Sequence, residues 1–116
     1  MMDENSGRIE VKIFELAAFY KGLLEDDVVG TINKLNKNIE FATCVDKRGR
    51  NALMYALYAH ANEVAKALLG NNIIPPGAED LDGFTSYDWA VLGNNALGCR
   101  IVEHWWRNME EEDRGF

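Results

Sequence analysis

Basic residues are scarce in this chain. Lys and Arg number 12 against 19 Asp and Glu, a formal net charge of -7. That shortage disfavours nucleic acid as a ligand, because phosphate binding needs clustered Lys and Arg. It leaves room for a basic protein partner, since opposite charge accelerates encounter. Cysteine is nearly absent as well. Cys44 and Cys99 stand far apart and in no CxxC spacing, which excludes a disulfide framework and makes buried thiols the better reading. With His60 and His104 the only histidines, no spacing suggests the three or four convergent ligands of a metal site. No window approaches the roughly 18–20 apolar residues of a membrane span. The start, MMDENSGRIE, has neither a basic nor an apolar region of the secretory kind, and no Asn-x-Ser/Thr sequon occurs. A cytoplasmic protein without cofactor or metal is the expectation. Catalytic signatures are missing too: there is no P-loop, G-x-G-x-x-G, H-E-x-x-H or G-x-S-x-G. His104, Asp88 and Cys99 are scattered with no spacing that would make an enzyme of them, so no catalytic residue is assigned.

What is present is a packed domain's worth of apolar residues. They are 47% of the 116 positions, enough for one core. Ile9, Ile13, Leu16 and Tyr20 recur at helical spacing, so residues 8–22 read as an amphipathic helix. Glu25, Asp26 and Asp27 open a second helix, lined by Val28, Ile32 and Leu35 and closed by Asn36-Lys37-Asn38. Asp46-Lys47-Arg48-Gly49 reads as a turn, in which Asp bonds its own backbone and Gly supplies positive φ. Short helices follow over about 51–59, with Ala52, Leu53 and Ala56 inward, and over about 61–70, with Val64, Ala65, Leu68 and Leu69 inward. Ile73 to Gly77 contains two prolines and cannot continue a helix. The cycle then recurs: turn at Asp80–Gly83, helix over 85–93, corner at Asn94-Asn95, and a helix from about Ala96 to Asn108 with Leu97, Ile101 and Trp105 on one face. Tyr20, Tyr55, Tyr87, Trp89 and Trp105 are assigned to packing, and residues 109–116 to a solvated acidic tail.

The recurrence has a fixed period. Asp46 matches Asp80, Gly49 matches Gly83, Asn51 matches Thr85, Leu53 matches Tyr87 and Ala56 matches Ala90, every pair at the same offset in sequence. A period of this length, about 34 residues, marks stacked units, none of which can bury its apolar face alone. The pattern D-x-x-G-x-T/N-x-L/Y-x-x-A, then a corner and a V-x-x-x-L-L helix, resembles the ankyrin repeat. The resemblance implies an all-α fold: a short solenoid of stacked antiparallel helix pairs, about three repeats long. Residues 46–79 would be the central repeat and 80–108 the C-terminal capping repeat. Residues 8–45 would be a degenerate N-terminal cap whose period is stretched by a few residues. The family's T-P-L-H appears as Asn51-Ala52-Leu53-Met54 and Thr85-Ser86-Tyr87-Asp88, and its corner glycine as His60 and Asn94.

The resemblance also implies a site. Partners of ankyrin proteins dock on a concave face made of turn tips and the outward side of each first helix. Carried over by position, that face holds Lys47, Arg48 and Arg50, then Tyr58, then Leu81, Phe84 and Leu92. The expected function is binding of another protein there. Two further readings are open. One is a small acidic antidote that masks a basic enzyme or toxin. The other is a self-associating scaffold, monomer or weak homodimer, with Trp106 as a candidate contact.

Overall fold

The computed structural model describes residues 19–37 and 40–108. The expected helix start at 8–18 and the acidic tail at 109–116 lie outside the described residues. Among those described there are helices and turns and no strand. A helical segment at 19–24 (α1) is followed by α2 (Val28–Lys37), the short α3 (Glu40–Thr43), α4 (Ala52–Tyr58), α5 (Asn62–Gly70), α6 (Ser86–Leu92) and α7 (Ala96–Asn108). The single-turn α3 is not anticipated by the apolar spacing.

Each helix pair is joined by a tight corner with one residue in the left-handed region: Asp26 (φ 61), His60 (φ 64) and Asn94 (φ 55). Asp and Asn enter this region more readily than most residues. The corners carry the same backbone bonds. Asp27 N donates to Gly22 O, Ala61 N to Ala56 O and Asn95 N to Ala90 O, at 2.8–2.9 Å. Corners and second helices both recur at the repeat period, with helix starts at Val28, Asn62 and Ala96. The stretched period expected for the first unit is therefore not found over 19–37.

Helix starts are capped by different chemistry. Asp27 Oδ1 accepts from Gly30 N, and Asn95 Oδ1 from Gly98 N. Ala61, at the same place before α5, has no side-chain oxygen, and Asp26 of the preceding corner caps instead, accepting from Val64 N at 2.9 Å. Asn51 caps α4, and Thr85 with Asp88 forms a capping box on α6.

Packing follows the apolar spacing. α4 lies against α6, α5 against α7 and α2 against α5. Ala52, Leu53, Ala56, Leu57, Val64, Ala65, Leu68 and Leu69 are fully buried, and Phe19, Leu23 and Leu35 continue the core on the α1–α2 side. Ile74 and Pro76 close the loop under α6, where Ser86 Oγ donates to Pro76 O. Two corrections concern single faces. Leu97, expected inward, is 54% exposed, whereas Ile101 of the same expected line is buried, together with Gly98 and Val102. Tyr87, assigned to packing, is exposed.

Candidate protein-binding groove

The first side of the groove is built by two turns of one design. In the first, Asp46 Oδ1 accepts from the backbone N–H groups of Arg48 and Arg50, both at 2.9 Å. Its Oδ2 accepts from Tyr55 Oη at 2.5 Å and Arg50 Nε at 2.6 Å. In the second, Asp80 Oδ1 accepts from Asp82 N and Phe84 N at 2.9 Å, and Oδ2 from Trp89 Nε1 at 2.9 Å. Gly49 and Gly83 hold positive φ at the same step (79 and 82°). The turns are tied together by Leu81 N donating to Arg48 O at 2.8 Å and by an Arg48–Asp82 ion pair at 3.6 Å.

These bonds set the carboxylates' acidity. Burial alone would push the Asp46 carboxyl up. The donors from Tyr55, Arg50 and Arg48 outweigh it and hold the pKa at about 2. Asp80 follows the same logic: burial raises, while Phe84 N–H, Trp89 Nε1–H and Asp82 N–H lower it further, and the net direction is down.

The second side comes from α4 and α6. Trp89 is the centre. Its ring meets Tyr58 edge-on with centroids 5.6 Å apart and Phe84 at 6.0 Å. Arg50 Cζ lies 5.5 Å from the Trp89 centroid and 5.5 Å from that of Tyr55, so the guanidinium sits between two aromatic faces. The helices approach closely at the far end: a Cβ on Gly93 would meet the Tyr58 carbonyl oxygen at 2.6 Å. His60 Nε2 is 2.7 Å from Gly93 O at that junction. The result is a notch of about 180 Å³ lined by Arg50, Met54, Tyr55, Tyr58 and Trp89.

The expected site residues distribute unevenly around it. Arg50, Tyr58 and Phe84 are brought together about Trp89. Leu81 is 78% exposed and flanks Gly49 at the turn tips. Arg48 and Lys47 are exposed beside it, and Leu92 is exposed on α6. Read as a basic cluster, Lys47, Arg48 and Arg50 change character in space: Arg48 pairs with Asp82, and Arg50 is engaged by Asp46. Trp89 and Tyr55 are the groove residues that sequence reasoning assigned to packing. Their signal was available, since each stands at the same short distance after its turn Asp and the two are one repeat period apart.

Among the described residues no group of His, Cys, Asp and Glu could hold a metal ion, and no helix is long and apolar enough to cross a membrane. Cys44 and Cys99 are free, partly exposed thiols. Compared with known proteins, the chain matches no family model, no curated protein and no solved structure.

Proposed function

We propose that this chain is a non-catalytic, ankyrin-type interaction module of the cytoplasm. It binds another protein by seating one bulky side chain of the partner in the notch between Tyr58, Trp89 and Arg50. The observation that carries the reading is that notch: a small aromatic recess, half-open, at the junction of two equivalent turns. Its volume of about 180 Å³ is below the roughly 300 Å³ where small-molecule sites begin. It suits a single anchoring residue. Tyr, Trp and Arg are the residue types that dominate binding energy when they meet in a partly desolvated centre. Leu81, Phe84 and Leu92 supply exposed apolar area around it. The ankyrin assignment is supported by turn, corner and cap positions that all share one period.

Arg48 and Arg50 beside the notch are already paired within the chain, so binding at this groove leans on apolar contact more than on net charge. The test is affinity capture from the native cell with the wild-type chain and with a Tyr58→Ala/Phe84→Ala variant. Both substitutions are at exposed rings, and circular dichroism is expected to stay unchanged. A partner held by wild type and lost by the variant supports the groove; equal capture removes it. The salt dependence of that complex separates the antidote reading. An affinity that collapses between low and high salt favours an acidic mask for a basic enzyme, and a shallow dependence favours the notch.

A further inference from the structure

The repeat period exposes an anomaly at one end of the molecule. Phe19 and Leu23 precede Leu53 and Leu57 by one period, and those precede Tyr87 and Val91 by the same step. The first four are 0% exposed, and α4, which carries Leu53 and Leu57, packs against α6 of the unit that follows. Tyr87 is 36% and Val91 55% exposed. The residues at these seam positions are thus apolar in all three units, although no further unit covers the third among the described residues. A unit whose seam faces water is expected to carry polar residues there. Beside Tyr87 a groove of about 370 Å³ runs between α6 and α7, floored by Pro76 and Val102 and flanked by Trp106, Glu103 and Arg107. Glu103 Oε1 accepts from Tyr87 Oη at 3.2 Å, which places the carboxylate on that rim.

We propose that this open end is a self-association face, on which a second copy of the chain packs about a twofold axis. The choice of occupant rests on charge. Glu103 and Arg107 lie one helical turn apart on the rim of the same groove. In a twofold arrangement Arg107 of each copy meets Glu103 of the other, so the patch is complementary to itself, as a twofold interface requires. A surface recruiting a basic partner through the chain's net charge of -7 would show acidic residues alone. Here the signs are balanced around an apolar centre, the arrangement of a protein interface with a polar rim.

Sedimentation of the full chain from low micromolar to near millimolar concentration tests this. The expected result is a mass that rises to twice the monomer's. Val91→Glu should weaken the association by about tenfold or more with unchanged circular dichroism, since it places a charge on the exposed apolar seam. The decisive arm exchanges charges. Glu103→Arg alone and Arg107→Glu alone each set like charges against each other and remain monomeric, whereas their equimolar mixture recovers the dimer. A wild-type chain that stays monomeric throughout overturns the proposal, whatever else the groove holds. So does association that both single variants retain at wild-type strength. The Tyr58→Ala/Phe84→Ala variant changes no residue that lines this groove and keeps the dimer, so loss of partner capture and loss of self-association are separable results.

Discussion

Asp46 illustrates how one carboxylate organises both a turn and the wall of a groove. It fixes the turn through two backbone N–H groups and the groove wall through Tyr55 and Arg50. Replacing it with Asn puts an N–H₂ where two donors point. The held-down pKa has a pH signature with a definite sign. A group whose folded pKa lies below its unfolded value contributes stability above the unfolded pKa, and that contribution is lost as pH falls through the folded one. For Asp46 the window runs from about pH 4 down to about pH 2. Its contribution is about 1 kcal/mol, after allowing for solvent screening at the groove rim. Urea unfolding of wild type and Asp46→Asn near pH 7 should differ by about that amount, and the gap should close as the pH approaches 2. A gap that stays constant would mean the carboxylate's charge is not what the turn uses. Lys47, Arg48 and Arg50 were legible in the sequence only as three basic residues on a turn; the Arg48 pair in particular was out of reach, because Asp82 is brought to it by the packing of two turns from successive units.

Helices show which local signals suffice and which do not. α4, α5 and α6 start and stop within a residue of where Asn51, Thr85 and the corner residues place them. Caps and turns are encoded within a few residues, so sequence alone reaches them. The face of α7 was misread at Leu97 alone, for a physical reason, since Ile101 and Trp105 of the expected line do meet the core. Its inward line passes through Gly98, where a Cβ would run into Asn95 and come 3.0 Å from Leu57, so the position needs no side chain. Hydropathy sees no signal at a glycine and selects Leu97 instead. The bond from Val64 N to Asp26 joins residues far apart in sequence, so the cap of α5 could not be read from the residues around Ala61. That bond gives an element-scale prediction. Asp26→Ala removes the cap of α5, costing about 1 kcal/mol, and keeps a Cβ in the left-handed region, a strain of about 1 kcal/mol that the wild type already carries. Asp26→Gly loses the cap but relieves the backbone, so it should unfold at a higher denaturant midpoint than Asp26→Ala. The reverse order would place the value of Asp26 outside its corner.

At the scale of the whole molecule, cover is unequal. α4 and α5 are flanked on both sides, by α1 and α2 and by α6 and α7, and hold the fully buried Leu53, Leu57, Leu68 and Leu69. α6 and α7 are flanked on one side only among the described residues, with Tyr87 and Val91 left at the open end. Local opening is governed by the apolar contacts that must be broken, so protection should fall from the middle hairpin toward the open end. Amide exchange followed by mass spectrometry is expected to be slowest over 52–70 and faster over 86–108. Concentration then connects this gradient to the self-association face. If a second copy covers α6 and α7, raising the protein concentration slows exchange over 86–108 and leaves 52–70 nearly unchanged, because the middle hairpin gains no new cover. Uniform slowing along the chain would instead mean that association stabilises the fold globally, without a preferred end.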